Sequence, residues 1–282
     1  MRRLKFYIQS FLIDRRIWLG IFGVVLVAMM ISYNDFYVLS YRGQKPAAAY
    51  YYFLAFNQTV AMATYLIVAS QSSITLFCED YGQNRLAFIL PRSGYWRYAL
   101  GLVSRVVIRV YLIGVLSGGL LLAYFLLGAA PVSGPMTFGS AIVDMSNSWL
   151  FVDGHYISFY LLMISNIGLM LSFYALLGVW LTVYYPNKMT SYMIPIFWWF
   201  IFTEFRLEQV VPFFLFPPSV FSTGNTMIEA MNYYGFGSQA VRYGIGMIYP
   251  YFYLVIMSLL IAWAIKVAIQ NRWQFYEKEG IV

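Results

Sequence analysis

Six apolar runs recur along this chain, at about residues 17–32, 48–77, 105–129, 157–184, 189–205 and 245–269. Roughly 20 residues of α-helix cross the hydrocarbon of a bilayer. Inside lipid a helix bonds its own backbone groups, so helices are what such runs can form. The runs predict an all-α membrane protein with six transmembrane helices. Composition agrees: 61% of the 282 residues are hydrophobic, 10% are charged, and mean hydropathy is +0.68. Soluble domains carry about 25% charged residues. The second run exceeds the required length, so it tilts or projects beyond the bilayer.

Residues 1–16, MRRLKFYIQSFLIDRR, place Leu4, Ile8, Phe11 and Leu12 at helical spacing among basic residues. That pattern predicts an amphipathic entry helix lying in the interface. A signal peptide is disfavoured, because no small-x-small cleavage site follows. The 18 Lys and Arg divide unevenly. Arg42, Lys45, Arg206 and Arg242 fall in the outer connections when the N-terminus is inside, and the remainder fall on the inner side. The bias predicts a membrane protein with both termini cytoplasmic. A net charge of +7 then reports inner loops and anionic lipid rather than nucleic acid.

Two outer connections are long. Residues 130–156 lack Lys and Arg and predict a loop with a short surface helix. Residues 206–244 hold an apolar run broken by Pro212, Pro217 and Pro218. It is too short to span and predicts a re-entrant or interfacial pair of broken helices. The chain has no internal repeat and is expected to be a single transmembrane domain over 1–282.

Chemistry-bearing motifs are sparse. GxxxxGK[ST], HExxH and GxSxG are absent, so no nucleotide site or hydrolase centre is expected in this chain. Cys78 is the single cysteine and His155 the single histidine, which excludes a disulfide and a CxxC metal site. Glu204 is essentially the only acid in the predicted spans. Asn57, Thr64 and Gln71, seven residues apart, predict a polar stripe on one face of the second span. Such a stripe serves helix packing or lines a pathway. Trp198 and Trp199, in PIFWWFIF, supply aromatic surface for packing or for a hydrophobic cargo. Gly114 and Gly118 form a GxxxG pair suited to close helix approach, within the subunit or at a dimer seam. Arg105 and Arg109 either snorkel to headgroups or pair with Glu79 and Asp80.

The segment between the second and third spans, 78–101, reads CEDYGQNRLAFILPRSGYWRYALG. Glu79, Gly82, Leu86, Leu90, Pro91 and Ser93, followed by Tyr98-Ala99-Leu100-Gly101, resemble the loop after the second helix in type-2 permeases of ATP-binding cassette (ABC) exporters. The layout is similar too: an amphipathic entry, six spans, a short turn at 185–188, and broken helices before the last span. Leu90 stands where that family often has threonine before the proline, and Leu102 where it often has lysine.

The resemblance implies a transport subunit of the bacterial cytoplasmic membrane with no enzyme activity of its own, in a complex of two permeases and two ABC ATPase subunits. The partner ATPases would bind ATP and Mg, and this chain would hold no cofactor. Residues 78–97 would be the coupling region. Within it Gln83–Leu90 would be a coupling helix docked in an ATPase groove through Leu86, Ile89 and Leu90, ended by Pro91, with Glu79, Gly82 and Arg85 beside it. The first and fifth helices would form the seam with a second permease copy or paralogue. The cargo would be hydrophobic or amphipathic: a peptide, antibiotic or lipid-like molecule. A non-transporting immunity or binding protein, a secondary transporter and a channel are the alternatives.

Overall fold

The computed structural model describes residues 14–41, 47–56, 59–128, 130, 132, 150, 154–205, 207–212, 214–221, 235 and 237–278. Within these it is helical, with no strand. The elements are α1 (Arg15–Tyr41), α2 (Ala48–Phe56), α3 (Thr59–Ser70), α4 (Leu76–Gly82), α5 (Leu86–Ser93), α6 (Tyr95–Leu127), α7 (Tyr156–Thr182), α8 (Lys188–Glu204), α9 (Pro217–Val220) and α10 (Gln239–Lys278). The entry helix expected over 1–16 falls almost wholly outside the described residues. So do 133–149 and 222–234, which hold much of the two outer connections.

Four helical stretches are long and apolar enough to cross a membrane: Arg15–Tyr33, Tyr95–Leu127, Tyr156–Thr182 and Gly244–Arg272. A fifth arises if Ala48–Phe56 and Ala61–Ser70, bent by 79° from one another, count as one span. The predicted second span is therefore not one straight helix ending near Phe77. Helix α3 ends at Ser70, followed by turns over 71–75. The backbone ladder lapses there: Ser70 O accepts from both Ser73 N and Ile74 N, at 3.0 and 2.9 Å, Leu76 N donates to Ser73 O at 3.2 Å, and Ser72 O is taken by Arg109 at 3.0 Å. Helix α8, with 17 residues, rises about 25 Å, a little short of a hydrocarbon core.

Helix α6 starts ten residues before the expected boundary, because nothing between Tyr95 and Arg105 breaks a helix. The break is Gly94, whose φ of +74° suits glycine and few other residues. Pro91 was expected to end the preceding helix, yet it lies inside α5. A proline ring fits helical φ and removes only one donor. Ser93 Oγ donates to Ile89 O at 2.8 Å, and the stop falls at Gly94.

Helix α7 is the central pillar: 94% of its most apolar window is buried, against 33% for α1 and 39% for α6 and α10. It packs against α6, α8, α10 and α3. The outer helices bury one stripe only. On α1, Ile17, Ile21, Val24 and Ala28 face inward, while Trp18, Phe22, Leu26 and Met30 are exposed. An exposed face that remains apolar belongs in a nonpolar surround, which is the arrangement of a multi-pass membrane protein.

The α6–α7 seam relies on glycine. A Cβ on Gly114 would lie 2.6 Å from Gly168 Cα, and one on Gly168 would lie 2.9 Å from Tyr111 O. One on Gly118 would lie 2.5 Å from the Tyr52 hydroxyl. The Gly114–Gly118 face is thus used within the chain. Without a hydrophobic drive between helices in lipid, such close contact supplies the packing energy. Gly114→Ala should destabilise by about 1–3 kcal/mol through overpacking. Gly119→Ala, with nothing within 4 Å, should be neutral or mildly stabilising. Thermal unfolding in detergent checks both, and equal effects would contradict the seam.

Candidate functional site: the charged corner and the short helix

Residues 70–93 form a corner between the broken pair α2–α3 and the long helix α6. Three arginines from three other helices converge on it. Arg16 of α1 meets Glu79 Oε1 at 2.7 Å. Arg109 of α6 donates to Ser72 O at 3.0 Å and pairs with Asp14 Oδ2 at 3.2 Å. Arg272 of α10 donates to Val183 O at 2.7 Å and to the Tyr81 hydroxyl at 3.2 Å, with its guanidinium 4.5 Å from the Tyr81 ring centroid. Planar guanidinium groups suit such multiple bonding to carboxylates and carbonyls.

The corner is also held from within. Asp80 is buried and accepts from Tyr98 Oη at 3.0 Å. Thr75 Oγ1 donates to Glu79 Oε1 at 3.2 Å. Cys78 Sγ lies 3.4 Å from Ser191 Oγ of α8, and both residues are buried. Ile74 fits against Gly178 of α7, whose Cβ would sit 2.5 Å from Ile74 Cδ1 and 3.1 Å from Pro195 Cγ. Burial pushes the pKa of Glu79 up, but the hydrogen bond and charge of Arg16, the Thr75 hydroxyl and the charge of Lys188 outweigh it. The carboxyl lies below its usual value of 4.5.

The expected pairing of Arg105 and Arg109 with Glu79 and Asp80 is not what forms. Arg105 Nε donates to Gly101 O at 3.0 Å on its own helix, and Arg109 takes Asp14 and Ser72. Asp14 was the overlooked partner, since nothing in local spacing links it to Arg109. The expected polar stripe is only partly within the described residues. Asn57 lies outside the described residues, Thr64 is half-buried on α3, and Gln71 lies past the end of that helix, opening onto a cavity beside Glu79.

Helix α5 reverses part of the expectation for 83–91. Gln83–Arg85 is a turn, in which Asn84 takes a positive φ of 52°. Leu86 and Leu90, expected as anchors for a partner, are only 6% and 4% exposed and belong to the protein's own core, with Ile89 half-buried against it. The free face carries Arg85, Ala87, Phe88, Pro91 and Arg92, with Phe88 69% exposed. The inward apolar row is consumed by packing on α6. Gly82 is exposed, with open space around its Cα.

A second region gathers rings. Trp198 stacks with Trp180 and Phe202, at centroid distances of 6.5 and 6.1 Å, and Trp199 meets Tyr174 edge-on at 5.5 Å. The cluster continues through Phe173 to Phe221 and Tyr253. The indole N–H groups of Trp180, Trp198 and Trp199 and the Tyr174 hydroxyl are buried without a hydrogen-bond partner among the described residues. Glu204 lies exposed at the end of α8, apart from these rings. Tyr253 Oη donates to Leu215 O at 2.9 Å and Tyr249 Oη to Phe214 O, tying α10 to the segment before α9.

Compared with protein-family models, with curated proteins and with solved structures, the chain matches none. What the fold and the corner define is an α-helical multi-pass membrane protein with a short amphipathic helix clamped at one end of its bundle.

Two measurements test this geometry. Leu86→Ala should cost about 2–4 kcal/mol of stability, whereas Phe88→Ala should stay within about 0.5 kcal/mol. Because the Glu79 carboxyl is depressed, its stabilising effect is present above the usual carboxylate range and fades as pH falls through the folded value. The melting-temperature gap between wild type and Glu79→Gln should therefore be widest near neutral pH and narrow as pH falls below the usual carboxylate range. A gap constant with pH would contradict the Arg16–Glu79 pair.

Proposed function

We propose that the chain is the permease subunit of an ABC exporter, moved by a separate ATPase that engages α5. The observation that carries this reading is the two-sidedness of α5. Its leucines hold it to the bundle, while Phe88, Arg85 and Arg92 remain on the outside. An exposed aromatic flanked by two cations on a braced helix is the kind of anchor a partner groove takes up. The likeness of 78–101 to type-2 permeases supports the same assignment, with the docking face moved from the leucines to Phe88.

On this reading the membrane is crossed six times. The bent pair α2–α3 serves as the second span and α8 as a short fifth, with both termini and α5 cytoplasmic. Partner ATPases supply the nucleotide and Mg sites. Two permease copies, or this chain and a paralogue, meet along α1 and α8. Exposed apolar rows on both helices support that seam: Trp18, Phe22, Leu26 on one, Met193, Phe197, Phe200 on the other. A cargo with apolar surface and hydrogen-bond acceptors suits the ring cluster, because Trp198, Trp199 and Tyr174 hold donors without acceptors among the described residues.

The test is purification of the tagged protein from its native membrane in mild detergent. An ATPase with a phosphate-binding loop should accompany the wild type, and Phe88→Asp should lose it while melting normally. If no ATPase accompanies the wild type in any mild detergent, the exporter reading fails and a non-transporting binding or immunity protein takes its place.

A further inference from the structure

Beside Glu79, between the start of α1 and the start of α8, lies an open cavity of about 200 Å³. Its polar wall is Arg16, Lys188, Gln71, Thr75, Tyr192 and Glu79, and Leu19 forms the apolar side. We infer that this cavity binds the phosphate of an anionic lipid headgroup. The inference needs only that the chain spans a membrane and does not depend on the exporter reading.

Charge decides the sign of the ligand. Glu79 is taken up by Arg16 at 2.7 Å, which leaves Lys188 without an ion pair among the described residues. The cavity thus carries about one excess positive charge, which matches the single negative charge of a phosphodiester. Lys188 opens α8, where Asn187 Oδ1 already accepts from Met189 N at 2.9 Å. The positive end of that 17-residue helix adds to the same field. The Gln71 amide, the Tyr192 hydroxyl and the Arg16 guanidinium are donors on the wall. A cation would meet Arg16 and Lys188 and be repelled.

The apolar flank favours a lipid source. Leu19, 64% exposed, borders the cavity, and Met189, next to Lys188 on α8, is exposed as well. A headgroup phosphate held at Lys188 would leave its acyl chains along these side chains, toward the membrane interior. Free phosphate would use the polar wall only.

The experiment uses the full-length protein in a non-ionic detergent. Bound lipid is counted by native mass spectrometry after adding dioleoylphosphatidylglycerol or dioleoylphosphatidylcholine, with inorganic phosphate as a competitor. Phosphatidylglycerol should bind in preference to phosphatidylcholine. Lys188→Gln should weaken it about fivefold, as expected for one cation at a membrane surface, and Lys188→Arg should retain it. Lys188 is exposed, so both variants should melt as wild type does without lipid. Millimolar phosphate failing to displace phosphatidylglycerol identifies the lipid as the source. Displacement by phosphate alone identifies a soluble phosphate ligand at the same site and overturns the lipid assignment. No preference for phosphatidylglycerol, or equal binding by wild type and Lys188→Gln, overturns the site itself.

Discussion

Three arginine side chains converging on one short corner organise this bundle. Arg16, Arg109 and Arg272 come from α1, α6 and α10, and each reaches a group between Ser72 and Tyr81. Two of the contacts are to neutral acceptors, Ser72 O and Tyr81 Oη, and one is to a carboxylate. At an aqueous boundary a single ion pair contributes little, about 0–1 kcal/mol. The geometric effect is larger than the energetic one. Backbone that would otherwise be an exposed turn is tied to helices far apart in sequence. A corner held in this way moves with the bundle or moves the bundle.

The rest of the architecture fits a relay. Central α7 meets α6 at glycine-on-glycine distance and meets the corner through Gly178 and Ile74, so little slack exists between corner and pillar. Helix α5 closes the corner after the turn at 83–85 and is fixed by Leu86 and Leu90. A force applied to Phe88 would reach α6 through those leucines. It would reach α1 and α10 through Arg16 and Arg272. Packed interiors transmit such displacements because they deform poorly.

Much of this was legible in the chain. The first, third, fourth and sixth runs stand as helices near their expected places, because long apolar runs leave a membrane helix no alternative. The break at Ser70 coincides with the polar run Ser70-Gln71-Ser72-Ser73, but hydropathy averages over such a run. Helical spacing identified Leu86, Ile89 and Leu90 as one face of α5. Spacing cannot say what covers a face, and here the covering is α6 rather than a partner. Asp14 as the mate of Arg109, and Tyr81 as the mate of Arg272, depend on tertiary placement and leave no local signal. The Gly114–Gly118 pair was readable as a close-contact site, and only the fold assigns Gly168 to Gly114 and the Tyr52 hydroxyl to Gly118.

The relay depends on residues 70–93 behaving as one unit. Hydrogen–deuterium exchange across this stretch tests that directly, in wild type and in Arg16→Gln, Arg109→Gln and Arg272→Gln. If the arginines act as a common clamp, loss of any one raises exchange over the whole of 70–93, α5 included. If each variant loosens only the residues it touches, and α5 keeps its protection, the corner is not a unit and cannot carry force from α5 to the bundle.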